Sequence, residues 1–298
     1  MARKPTLTVI TACTLVLALS LCIAQVWQLP AKLLTTLTSP AGYKLVQRAP
    51  DIVHEYKQPA EGAPLKLYVF YPNNDNAGQT IQQNRIAVVF FHGGGWTLGD
   101  ASQLFPHCTW LAAKGIECIS VQYRTASTHD TSPLHAVEDA QDAFTYVRDN
   151  RQMLGLGATS LYAAGASAGA HLAASLVTAE YPQFNINRVY PDGVILLGAV
   201  IDNSVQGYGY ERVKHFGQGF SPLHNLDERF PRTLFLIGAK DTYVPITTAE
   251  RFVFTLTKLG VDASLKVYTD AYHSFFTDKQ FDEAMVNIET FLQHKQLD

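Results

Sequence analysis

The sequence predicts an α/β fold, with a mostly parallel central sheet and helices on both of its faces. Two observations carry this. From residue 86 onward, short apolar runs alternate with helix-length segments, and that alternation feeds parallel strands through helical crossovers. The run Ile86 to Phe91 (IAVVFF) has no polar position at all, as a strand buried on both faces requires. The chain has 298 residues, 47 % of them apolar and 11 % aromatic, enough for one large core and far from the composition of a disordered segment.

The elements follow in order. Arg3 and Lys4 precede a stretch from Thr6 to Trp27 without a charged residue. Residues 1 to 27 therefore read as a secretory signal peptide or an N-terminal membrane anchor, with a cleavage site before Gln25. Residues 28 to 42 read as a linker without periodicity, and residues 43 to 298 as one catalytic domain. Tyr43 to Val53 and Leu65 to Tyr71 alternate as strands should, and Pro72-Asn73-Asn74-Asp75 is a turn. After Ile86 to Phe91 come a helix from Leu104 to Lys114, a strand from Glu117 to Tyr123 and an amphipathic helix from Pro133 to Met153. Leu161 to Gly165 is a strand and Ala168 to Ala179 a helix of small residues. Val194 to Ile201, Leu234 to Gly238 and Ala263 to Tyr268 complete the strands, with helices at Ile246 to Leu259 and Phe281 to His294. Between Ile201 and Leu234 lies a short, glycine-rich insertion, read as loop with little helix.

Charge narrows the partners. Only 16 % of residues are charged, the net charge is −3, and no run of five like charges occurs. Nothing here suits nucleic acid. The apolar leader implies an exported protein, periplasmic, secreted or anchored to a membrane. Of four cysteines, Cys108 and Cys118 lie outside the leader; a disulfide between them and two buried thiols are both compatible with the sequence. No His, Asp, Glu or Cys cluster has metal-ligand spacing, and no cofactor is expected.

The chemistry sits at strand ends. Gly165-Ala166-Ser167-Ala168-Gly169 matches G-x-S-x-G between a strand and a helix, the setting of a nucleophilic serine on a sharp turn. The helix that follows points unpaired N–H groups at the reacting oxygen. His92-Gly93-Gly94-Gly95-Trp96 follows the buried strand. The N–H groups of Gly93, Gly94 and Ala168 are the expected oxyanion donors. Asp241 and His273 each follow a strand, in the chain order Ser, Asp, His, and supply acid and base; Asp202 and Asp270 are the rival acids. Trp96, Tyr123 and Phe275 are the expected apolar pocket walls. His92 braces the glycine loop, and His171 is a packed, hydrogen-bonded residue.

FFHGGGW, QYR at Gln122 to Arg124, GASAGAHLAA, GAKDTYVP and YHSF, in this order over residues 65 to 295, resemble the hormone-sensitive-lipase-like branch of the α/β-hydrolases. The chain is similar to its small-cap carboxylesterases of the feruloyl- or acetyl-esterase type. Ala166 stands where many relatives carry a polar residue, and the large N-terminal helical cap is missing. The resemblance implies the α/β-hydrolase fold and a serine esterase acting on small carboxylic esters, with Ser167, Asp241 and His273 as the triad. The kynurenine formamidases share an H-G-G-x-W loop and an S-A-G-A-H-L run, which makes an arylformamidase the alternative. A non-catalytic binding module of this fold would have lost the triad. Peptidases of the prolyl-oligopeptidase type usually carry a further glycine where this chain has Ala170.

Overall fold

The computed structural model describes residues 34–39, 42–72, 85–158 and 160–294. The apolar leader lies outside the described residues, as does most of the turn after Pro72. The chain divides into two units, Met1–Leu34 and Thr35–Asp298, and the second holds the fold discussed below.

Its strands and helices are β1 (Leu34–Thr38), β2 (Lys44–Arg48), β3 (Ile52–Lys57), β4 (Leu65–Phe70), β5 (Ile86–Phe91), α1 (Phe105–Ala113), β6 (Glu117–Val121), α2 (Ala126–His129), α3 (Pro133–Asp149), β7 (Ser160–Ala166), α4 (Ala168–Thr178), β8 (Gly193–Leu197), α5 (Tyr210–Val213), β9 (Thr233–Gly238), α6 (Ile246–Lys258), β10 (Ala263–Tyr268) and α7 (Phe281–Gln293). Eight strands form one sheet in the order β10-β9-β8-β7-β5-β6-β4-β3. β5 to β10 run parallel, and β4 and β3 close one edge antiparallel. The expected α/β architecture is the one observed.

Two corrections concern the N-terminal part. The segment read as a linker contains β1, which pairs with β2 in a separate two-stranded sheet. Every residue of β1 is exposed, so no buried face left a pattern in LTTLT. The single strand read from Tyr43 to Val53 is two. Arg48 turns its side chain inward and bonds Asp51 at 2.8 Å and the carbonyl of Tyr71 at 2.7 Å, and the chain bends there between β2 and β3. β8 also ends earlier than its apolar run, because Gly198 adopts φ +56° directly after Leu197.

The two faces of the sheet bury separate cores. Phe144, Val147 and Leu172 lie on one side, with α3 and α4. Leu111, Met285 and Ile288 lie on the other, with α1 and α7. Cys108 in α1 and Cys118 in β6 are joined by a disulfide, which settles the two readings of that pair. A buried ionic cluster fixes the end of β6. Asp139 of α3, fully buried, accepts from Lys57 Nζ at 2.8 Å and from Arg124 Nη2 at 2.7 Å and Nε at 2.7 Å. Each charge is paired, so the desolvation cost of the carboxylate is offset by several charge-assisted bonds. Arg124 and its neighbour Tyr123 are thereby held behind the glycine loop.

Candidate active site

The register brings the functional loops together. Phe91 pairs with Gly165, and Ala166 with Leu197, so β5, β7 and β8 end side by side. Ligands bind at this carboxyl edge in open parallel sheets. Ser167 stands on the turn from β7 to α4 with φ +53°, a left-handed value that costs a non-glycine residue on the order of 1–2 kcal/mol. Its neighbours explain how the turn closes. A Cβ on Gly165 would lie 2.2 Å from the backbone of Gly169, and one on Gly169 would lie 2.0 Å from the carbonyl oxygen of Phe91. Only glycine lets β7, α4 and β5 approach this closely.

The acid and the base are tied to one another by backbone. Lys240 N–H donates to the carbonyl of Ala271 at 2.9 Å, and Ala239 N–H to that of Tyr268 at 2.9 Å. The side chain of Asp241 is buried, and its Oδ1 accepts from the N–H groups of Tyr243 and Val244 at 2.8 and 2.9 Å. Its Oδ2 lies 2.6 Å from His273 Nδ1. A carboxylate accepts, so Nδ1 carries the proton and Nε2 is left as acceptor. Nε2 lies 2.8 Å from Ser167 Oγ, the distance at which it can take the hydroxyl proton. The rivals are otherwise engaged: Asp202 Oδ1 accepts from Ser204 N–H at 2.9 Å, and Asp270 pairs with Lys240 at 2.9 Å.

The oxyanion donors differ from expectation at one position. Gly93 N–H donates to Gln103 Oε1 at 2.6 Å and is not available to a substrate. Gly94 and Gly95 both line the cleft beside Ser167, and Ala168 follows Ser167 in the chain. Among the described residues nothing accepts from the N–H of any of these three, so Gly95 takes the place read for Gly93. The loop is braced from behind. Tyr123 Oη donates to the carbonyl of His92 at 2.8 Å, and the two rings stack 4.0 Å apart. His92 Nδ1 donates to the carbonyl of Gly93 at 2.8 Å, and burial lowers the His92 pKa to about 4, so the ring is neutral. His171 is neutral for the same reason, lowered to about 4, and bonds the carbonyl of Phe220 at 2.8 Å.

The three residues read as pocket walls are none of them walls. Trp96, Tyr123 and Phe275 are fully buried. Trp96 packs edge-on against His171 and Phe220, and Phe275 belongs to the core beneath α7. Nearness to a motif in sequence placed them, but the backbone turns their side chains away from the opening. The cleft of about 570 Å³ is walled instead by Leu37, Leu98, Tyr208, Tyr243, Phe276 and Thr277. Leu37 comes from β1 and Tyr208 from the insertion. The residues lining the cleft include no Asp, Glu, Lys or Arg. Among the described residues, no three His, Cys, Asp or Glu side chains gather as a metal ion would need.

An open parallel sheet with a serine on the tight turn after its central strand, relayed to histidine and aspartate on neighbouring loops, defines the α/β-hydrolases. Comparison with known proteins agrees. A family model described as alpha/beta hydrolase fold matches residues 88–220, and one for the dienelactone hydrolase family matches residues 198–290. The chain has the α/β-hydrolase fold. Esterase LipC of Mycobacterium tuberculosis is 27 % identical over 195 residues, covering 56 % of this chain and 47 % of that protein. The acetylxylan esterase of Xylanibacter ruminicola is 26 % identical over 201 residues, covering 63 % of this chain and 41 % of that protein. Among solved structures, the esterase Est2 of Thermogutta terrifontis with propionate bound has a TM-score of 0.69 and 28 % identity, covering 81 % of this chain and 93 % of that one. The chain spans about half the length, or less, of the curated relatives named here.

Proposed function

We propose that this chain is a serine carboxylesterase that hydrolyses small, uncharged carboxylic esters. The observation that carries the reading is the Ser167–His273–Asp241 relay at the floor of a cleft without fixed charge. His273 takes the Ser167 proton as Oγ attacks the ester carbonyl, and returns it to the departing alcohol. Asp241 holds the ring in the required tautomer and stabilises the imidazolium. The N–H groups of Gly94, Gly95 and Ala168 meet the oxyanion. Water, deprotonated by the same histidine, then releases the acid.

The short-acyl reading rests on the cleft and on the relative. Leu98 and Tyr243, two of its walls, remain largely exposed to solvent. A long acyl chain would stay partly wet there, and each added methylene would gain less than the roughly 0.8 kcal/mol of full burial. Est2 of Thermogutta terrifontis holds propionate. N-formylkynurenine carries an ammonium and a carboxylate, and the cleft offers neither a counter-charge. In a panel of aryl esters from two to twelve carbons with N-formylkynurenine alongside, kcat/KM should be highest from acetyl to butyryl. A clear preference for the formamide, or for chains of about twelve carbons, would overturn the substrate assignment.

The same chain is exported. The charge-free stretch behind Arg3 and Lys4 supports this, and so does the Cys108–Cys118 disulfide, which persists in oxidising compartments. Mass spectrometry of the N-terminus after cell fractionation should find a start near Gln25, or the intact leader in the membrane fraction. A soluble cytoplasmic chain that retains Met1 contradicts export.

A further inference from the structure

The glycine loop that carries the oxyanion donors is held from outside as well as from behind. Gly94, Gly95, Trp96 and Gly99 all have positive φ, at +120°, +60°, +59° and +96°. Trp96 is the costly member, because a side chain disfavours that region. A loop of this kind keeps its shape only where its surroundings over-determine it. Gln103 takes the N–H of Gly93, and Tyr123 takes the carbonyl of His92. Further along, the N–H groups of Ala126 and Ser127 donate to the carbonyls of Trp96 and Thr97 at 3.1 and 3.0 Å, and Thr97 Oγ1 lies 3.3 Å from the carbonyl oxygen of Gly95, which also takes a side chain of the insertion. Arg212, in α5, donates through Nη2 to the carbonyl of Gly95 and through Nη1 to Thr97 Oγ1 at 2.8 Å. Its guanidinium also lies 5.3 Å over the ring of Trp96. Three consecutive residues of the loop are therefore gripped by one planar fork, which a lysine cannot reproduce.

The insertion meets the loop closely on either side of that fork. A Cβ on Gly209 would lie 3.2 Å from the Trp96 ring, and one on Gly95 would lie 2.8 Å from Tyr208 Oη. Tyr208 also lines the cleft. One short segment, 208 to 212, thus touches both the cleft and Gly95, the residue that bears an oxyanion donor.

We propose that Arg212 is a positioning residue for the oxyanion hole: by clamping Gly95, Trp96 and Thr97 to the insertion, it fixes the N–H of Gly95 where negative charge develops. The proposal rests on the serine-esterase reading given above. Losing an oxyanion donor outright costs about 10²–10³ in kcat, and loosening one costs part of that. Arg212 makes no contact with the triad, so its effect belongs in the transition state and not in ground-state binding.

The test is Arg212→Met, which keeps an apolar stem over Trp96 and removes the donors, with Arg212→Lys beside it. With an aryl acetate, Arg212→Met should lower kcat about 10- to 100-fold while KM stays within about 3-fold. The rate of Ser167 labelling by a fluorophosphonate should fall in parallel. Millimolar guanidinium should restore part of the kcat of the methionine variant and leave the parent unchanged, a response that general loosening of the fold would not give. Arg212→Lys should stay well below the parent. A kcat within 3-fold of the parent for Arg212→Met, or a loss confined to KM, would overturn the proposal while leaving the esterase reading in place. A parent enzyme that neither hydrolyses the ester nor labels at Ser167 would remove both.

Discussion

Replacing Ser167 with alanine should lower ester turnover by about 10⁴–10⁶ and leave the fold unchanged. The expectation follows from geometry. Oγ is the atom that His273 Nε2 faces at 2.8 Å, and the φ of +53° at this position serves only to present it. Alanine removes the nucleophile and keeps the turn, so thermal unfolding should match the parent. Asp241→Asn should cost less, about 10⁴, because the histidine remains but its proton no longer has an anion to face. The check is steady-state kinetics on a short aryl ester, with covalent labelling by a fluorophosphonate as a second reading. Residual turnover near the parental rate in Ser167→Ala would place the nucleophile elsewhere and dissolve the site described here.

Acid should destabilise the protein steeply between pH 6.5 and 4. His92, His107 and His171 are each lowered by burial to a pKa of about 4 from the usual 6.5. His107 packs among Phe90, Phe276 and Phe281, and His171 between Trp96 and Phe220. The unfolded chain takes up these protons as the pH passes 6.5, whereas the folded chain takes them up only near 4. Between those values the unfolded state binds more protons, so stability is complete above pH 6.5 and declines as the pH falls. Each ring contributes a slope of about 1.4 kcal/mol per pH unit in that window. Three such slopes are large against a typical folding stability of about 5–15 kcal/mol. The urea midpoint should therefore drop sharply from pH 7.5 to pH 5, and His107→Phe should flatten the dependence. Equal midpoints at the two pH values would show that these rings are not held neutral.

Most of the parallel sheet and the triad were legible because both leave local marks. A strand buried on two faces has to be apolar throughout, and Ile86 to Phe91 is. A turn that forces three backbones together has to be glycine at Gly165 and Gly169, and the spacing of the motif records that contact. Asp241 and His273 could be found because chain order and strand ends are sequence properties. The oxyanion pair was shifted by one residue because the decisive group, Gln103, lies ten positions downstream and enters through the side chain, with no signal inside H-G-G-G. The pocket walls were missed for a related reason. Trp96 and Tyr123 flank the glycine loop and do serve the site, but from the buried side, where they hold the backbone. The true walls, Leu37, Leu98, Tyr208 and Phe276, come from separate parts of the chain, and only the folded topology brings them together. β1 gave no periodicity because it has no buried face.

The position of β1 separates two kinds of change that most enzymes must make at once. The reacting groups stand on turns where a single added carbon collides with neighbouring backbone, and sequence there has almost no freedom. The strand Leu34–Thr38 belongs to a separate two-stranded sheet, exposes every side chain and still supplies a wall of the cleft. Substitutions along it alter what fits beside Ser167 at little cost to folding, and they leave the triad where it is. Drift in this strand is therefore a route by which the preferred ester can diverge among descendants while the hydrolytic chemistry stays constant, and it is the natural segment to randomise when a new specificity is sought.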